Sequence, residues 1–188
     1  MTKHSKLIHA MVEGALMVAL AEILGYIKFG HLPNGGSISL MMLPIVVYAL
    51  RWGLGRGLLA GLVLGILDFM LGGGISIGWQ SILGDYVVAC TLIGLAGAGS
   101  GKGMPGVVLG TVLGCLGRFA SIVVTGAVVW GIYMPDTFLG LTMTSEWVYS
   151  LLYNGITVAA SGVLTVLVVV VLTCTPMKRY ILAQDLAR

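Results

Sequence analysis

Charge is what this sequence has least of. Its 188 residues include ten lysines and arginines and seven aspartates and glutamates, 9% charged in all, where a soluble domain carries roughly 25%. Such a chain cannot cover a globular surface with solvated groups, and a soluble fold is excluded. Three cysteines and three histidines leave little for metal or nucleophile chemistry. Cys90, Cys115 and Cys174 stand alone in apolar stretches with no CxxC pair and no nearby histidine, so they read as small buried hydrophobes and no metal site is expected. A net charge of +3 spread along the chain is no footprint for nucleic acid. What the sequence does have is 58% hydrophobic residues and 29 glycines without a Gly-X-Y period. That excludes collagen and suits transmembrane helices whose backbones approach closely.

One crossing takes about 20 apolar residues. Apolar windows between charged or turn-rich breaks fall at about 8–29, 38–50, 54–72, 78–99, 104–131 and 146–174. The fold class expected is therefore all-α: a polytopic membrane protein, a six-transmembrane-helix bundle forming a single integral membrane domain over residues 1–188. The second window is short, bounded by Pro33-Asn34-Gly35-Gly36 and by Arg51, and is expected to be tilted or only part-way across. A basic start (Lys3, Lys6) leads into an apolar run that carries Glu13 and Glu22 and offers no small-residue cleavage site, so the first helix reads as retained. Cytoplasmic loops keep lysine and arginine. With both termini cytoplasmic, Lys3, Lys6, Arg51, Arg56, Lys102, Lys178, Arg179 and Arg188 lie inside, Lys28 alone lies outside, and Arg118 is left within the fifth helix.

A charge in hydrocarbon costs at least about 2.5 kcal/mol on insertion scales and calls for a partner, a wet cavity or a ligand. Glu13, Glu22, Asp68, Asp85 and Arg118 are in that position. At 1.5 Å per residue, Asp85 lies about 10 Å below the outer edge, Arg118 at a similar depth and Asn154 about 12 Å down. Gln80, Tyr86, Trp130, Tyr149 and Tyr153 gather near that level. One reading is a buried Asp85–Arg118 ion pair with an ordinary belt of interfacial aromatics. The other is a pocket open to the outside in which the carboxylate meets a cationic ligand, aromatic faces stack on a flat one, and Asn154 supplies donor and acceptor. Glu22 falls in the outer half and Asp68 near mid-membrane, where pairing with a neighbouring helix is the default. Ala15 and Ala19 form a small-xxx-small face, either for internal packing or for docking another membrane subunit.

Catalytic motifs fail. In Gly97-Ala98-Gly99-Ser100-Gly101-Lys102-Gly103 the first glycine of a phosphate loop is Ala96 and Gly103 replaces the magnesium-binding hydroxyl residue, so the stretch reads as a flexible turn. His4, His9 and His31 all lie near the membrane faces, and a buried nucleophile would have no base. No enzyme activity and no cofactor are expected, and energy for transport must come from a gradient or another chain.

Four stretches resemble a known family: GGSISLMMLPIVVYALRWG (Gly35 to Gly53), Asp85-Tyr86 followed by an apolar run to Gly94-Leu95-Ala96-Gly97, Arg118-Phe119 leading to Trp130-Gly131-Ile132-Tyr133-Met134-Pro135-Asp136, and WVYSLLYNG (Trp147 to Gly155). Over nearly its whole length the chain resembles the thiamine-specific S components (ThiT family) of energy-coupling factor (ECF) vitamin transporters. The resemblance implies a multi-pass protein of the bacterial cell membrane that captures thiamine in the outer half of its bundle. It also implies partners: a membrane-embedded coupling (T) subunit facing Ala15 and Ala19, and two ATPase subunits. Carried over position by position, thiamine would contact Asp85, Tyr149, Asn154 and Trp130, with Gln80 and Arg118 completing the substrate-binding set. Two positions depart from the family: Gln80 stands five rather than four residues before the aspartate, and Ile122 stands where a histidine is usual. The ligand is then thiamine, a precursor or an analogue. A stand-alone, ion-coupled transporter of an organic cation is the other reading.

Overall fold

The computed structural model describes residues 3–31, 36–71 and 76–183. Six apolar helices form the bundle: α1 (Lys3–Tyr26), α2 (Met42–Trp52), α3 (Leu54–Leu71), α4 (Trp79–Gly99), α5 (Gly103–Val128) and α6 (Glu146–Thr173). A short α7 (Lys178–Ile181), absent from the sequence reading, follows. Five of these are long and apolar enough to span a membrane; α2, with 11 residues, is not. It covers about 16 Å of a core roughly 30 Å thick. Nine of its residues, from Met42 to Arg51, are buried, so the short helix runs part-way across inside a ring of longer ones. Pro44 sits in its first turn, where a missing N–H removes no helical bond.

Irregular backbone continues the crossing above α2. Ser39 N–H donates to Ser161 Oγ at 3.2 Å and Gly36 N–H to Tyr153 Oη at 2.7 Å, which satisfies at membrane depth groups that lipid could not. Two small outer hairpins depart from the all-helical expectation: β1 (Phe29–His31) pairs with β2 (Ser37–Ile38), and β3 (Thr137–Phe138) with β4 (Leu141–Thr142), both antiparallel. The second turns at Leu139 and Gly140, both at positive φ (53° and 77°), the backbone of a two-residue hairpin whose twist matches its strands. The tip Pro33-Asn34-Gly35 lies outside the described residues.

Glycine has a specific use here. Gly57, Gly61 and Gly65 recur every fourth residue on α3, and Gly106, Gly110 and Gly114 do so on α5. Both rows press on the backbone of α4. A methyl group on Gly65 would stand 2.5 Å from the Tyr86 carbonyl oxygen and one on Gly114 2.5 Å from that of Ile93, while Gly61 abuts the Cys90 carbonyl. Two small-xxx-small seams thus grip one helix between them. Gly97 and Gly99, expected in a flexible turn, belong to a tight 3₁₀ stretch (Gly94–Gly99) inside that contact.

At the inner end Arg51 is buried, not solvated among the cytoplasmic cations. Its Nε lies 2.8 and 3.1 Å from the two carboxylate oxygens of Glu13, its Nη1 donates to the Tyr180 carbonyl at 2.7 Å, and its guanidinium lies 4.0 Å from the Tyr180 ring centre. Tyr180 Oη also donates to Glu13 at 2.6 Å. Charge pairing, ring stacking and α7 together account for one of the deep acids. The cysteines divide: Cys90 is buried and Cys115 half-buried, but Cys174 is exposed, because α6 ends at Thr173.

Candidate substrate-binding site

At the opposite end, where α1, α3 and α5 finish and α2, α4 and α6 begin, the helices enclose a cavity of about 290 Å³. Small-molecule sites are commonly this size or larger, from roughly 300 Å³. Asp85, Arg118, Trp130, Tyr149 and Asn154 all line it. Counting depth along each helix brought together residues that are far apart in sequence.

Asp85 sits in a π-helical stretch of α4, Ile82–Val88, a form that concentrates at functional positions because its extra residue per turn re-aims side chains. Ser121 Oγ donates to the Gly84 carbonyl at 2.8 Å and holds this stretch to α5. The Asp85 carboxylate accepts from Trp130 Nε1 at 2.8 Å and from Ser81 Oγ at 3.2 Å, both on Oδ2. Its other oxygen is buried and accepts no hydrogen bond among the described residues. Arg118 forms no ion pair with it among those residues; Arg118 Nη1 lies 3.6 Å from Cys90 Sγ instead. The ion-pair reading therefore does not hold. Asp85 is kept in place by neutral donors and presents an unused anionic oxygen.

α6 supplies the opposite wall. Tyr149, Ser150, Tyr153, Asn154 and Thr157 line the cavity, and a second π-helical stretch, Gly155–Ala159, begins immediately after Asn154. Tyr149 and Asn154 are five apart, about 140° around a helix; both reach the cavity because it wraps that much of α6. Asn154 Nδ2 donates to the Ser150 carbonyl at 2.9 Å and to Ser150 Oγ at 3.2 Å. Ser150 Oγ in turn donates to the Val123 carbonyl at 2.7 Å. With both donors committed, the asparagine offers the cavity its carbonyl oxygen, not a donor and an acceptor. Phe138, which the sequence reading missed, packs edge-on to Tyr149 at 5.4 Å and against Tyr153 at 5.9 Å. The Leu139-Gly140 turn was the available signal, since it folds this aromatic back over the helix end.

Gln80 is exposed and does not line the cavity. Five residues before Asp85 it is rotated off that face, and Ser81, four before, makes the contact. Asp68, expected near mid-membrane, lies three residues from the end of α3 and lines the cavity, as do Lys28 and Ile122. Glu22 is buried beside α3 with Oε1 unpartnered among the described residues. The aromatics divide: Trp79 and Trp147 face outward, as an interfacial belt requires, while Trp130, Tyr133, Tyr149 and Tyr153 face the cavity. On α1, Ala15 and Ala19 are exposed among Met11, Leu16, Leu20 and Ile23, and it is Gly14 that packs inward, against Tyr48.

A carboxylate, an amide oxygen and several aromatic faces around one cavity suit a flat organic cation. The comparisons agree with this chemistry. A family model described as thiamine transporter protein matches residues 11–181. The thiamine transporter ThiT of Bacillus subtilis (strain 168) is 33% identical over 185 residues, covering 91% of this chain and 93% of that protein. ThiT of Lacticaseibacillus paracasei is 34% identical over 197 residues, covering 94% and 92%. The structure of ThiT from Listeria monocytogenes superimposes with a TM-score of 0.77 at 22% identity, over 92% of this chain and 97% of that one, and shows the same fold. Family membership carries a transport role, not an enzymatic one, and a place in the cell membrane. The chain is a multi-pass membrane protein and belongs to the thiamine transporter protein family.

Proposed function

We propose that this chain captures thiamine from outside the cell and passes it inward as the S component of an ECF-type transporter. The observation that carries the reading is Asp85, a carboxylate that lines a cavity with Trp130, Tyr149, Tyr153 and Asn154 and whose buried Oδ1 accepts no hydrogen bond among the described residues. Thiamine carries a permanent thiazolium cation for the carboxylate and a flat aminopyrimidine for the aromatic rings. Arg118 lines the same cavity and balances part of its negative charge. Ile122 fills the wall where the family usually has histidine, and leaves a precursor or analogue as the competing ligand.

Energy enters through partners. The exposed Ala15 and Ala19 form a low-relief strip on the lipid side of α1, the kind of surface against which another membrane helix packs closely. A membrane-embedded coupling subunit docks there, driven by two ATPase subunits.

Mass spectrometry of the small molecule that co-purifies with the chain, together with calorimetric titration with thiamine, tests the ligand. Recovery of a different compound, with no heat on adding thiamine, overturns it. Uptake that requires co-expressed coupling subunits and survives collapse of ion gradients supports the ECF reading. Gradient-dependent uptake by the chain alone would replace it with a secondary transporter.

A further inference from the structure

Four charged side chains line the cavity: Asp68, Asp85, Lys28 and Arg118. Trp130 and Ser81 engage Asp85, and among the described residues Arg118 makes no ion pair with it. That leaves two cations lining one cavity: a part-buried arginine and the exposed Lys28. On their own they would favour an anion, since guanidinium and ammonium groups that line one cavity bind phosphate. Asp68 lies within electrostatic reach of both, and Glu22, from α1, lies within reach of Asp68. The charges that line the cavity among the described residues, two of each sign, thereby balance.

We propose that Asp68 is a specificity-determining residue: by neutralising Arg118 and Lys28 it prevents the cavity from acting as a phosphate site, and so selects the free vitamin over its phosphate ester. The proposal rests on the thiamine reading above. It gives Arg118 a definite place, within electrostatic reach of both Asp68 and Asp85 and with an ion pair to neither among the described residues.

The purified chain is titrated with thiamine and with thiamine monophosphate, following tryptophan fluorescence, and the readout is the ratio of the two Kd values, ester over free vitamin. Asp68→Asn should lower this ratio about tenfold or more, and Asp68→Glu should keep it within about twofold of the wild-type value. Lys28→Gln should raise it by weakening the ester. An unchanged ratio in a folded Asp68→Asn overturns the proposal. Should that variant not fold, Lys28→Gln decides alone, and an unchanged or lowered ratio overturns it. If the wild type binds no thiamine, the parent reading falls as well; if it binds thiamine while the variants leave the ratio flat, only the role of Asp68 falls.

Discussion

Trp130 Nε1 donates to Asp85 Oδ2 across 2.8 Å, joining residues 45 positions apart in sequence and fixing the carboxylate at the end of α5. This contact occupies one oxygen of Asp85 and leaves the other, buried, without a hydrogen bond among the described residues. Trp130→Phe retains an aromatic face but removes the donor. A charge-assisted hydrogen bond contributes about 1.5–3 kcal/mol, so thiamine affinity should fall about tenfold or more by calorimetry. Asp85→Asn should cost more, on the order of a hundredfold.

Asn154 tests the opposite wall. Asn154→Ala removes the cavity-facing carbonyl and also frees Ser150, and affinity should drop about tenfold. Full-affinity binding by both Asp85→Asn and Asn154→Ala would remove this cavity as the thiamine site.

The glycine seams make a separate prediction about stability. Gly65→Ala places a methyl 2.5 Å from a backbone carbonyl that no side-chain rotation can move. Overpacking of this kind costs about 1–3 kcal/mol, and Tm in detergent should fall by several degrees. Gly55→Ala, with nothing within 4 Å of the added carbon, should be neutral or slightly stabilising, because alanine is the better helix former.

Removing one partner of the inner ion pair strands the other. Arg51→Met alone should destabilise by about 3–5 kcal/mol, whereas Glu13→Gln combined with Arg51→Met should recover much of the loss. Tyr180→Phe, which deletes the 2.6 Å bond to Glu13, should cost about 1–2 kcal/mol. Chemical denaturation of the three variants separates these outcomes.

Docking is tested away from the cavity. Ala15→Trp and Ala19→Trp add bulk to an exposed strip and should abolish uptake in cells while thiamine binding to the purified variants stays normal.

Much of this architecture was legible in the sequence because a membrane helix converts residue number into depth. That conversion placed Asp85, Arg118, Trp130, Tyr149 and Asn154 at one level before any contact was known. Asp68 was misplaced by the same ruler, although it stands only three residues from the end of α3. Azimuth was less readable than depth. Gln80 and Ser81 differ by one position, yet only Ser81 reaches Asp85, because the π-helical stretch and the local phase decide which residue faces inward. The pairing of Arg51 with Glu13 was hidden for a different reason: position near a helix end does not distinguish a solvated cation from one enclosed by a later segment such as α7. The glycines showed their four-residue spacing, but only the packed structure reveals that both rows meet the same helix.

The short α2 has a consequence for what counts as the protein. Its 11 residues leave roughly half of that crossing without helix, and Met41, just before its first turn, lines the cavity. A full-length helix in this place would fill the volume with side chains. On the thiamine reading proposed above, the cargo takes up that space, and the loaded molecule is the one whose interior is complete. Anything that binds only the folded form stabilises it by RT ln(1 + [L]/Kd), about 4.1 kcal/mol at a thousandfold excess over Kd. Vitamin supply should then govern the lifetime of this chain in the cell as well as its traffic: a starved cell would hold a bundle with a gap in it, and a fed cell a closed one.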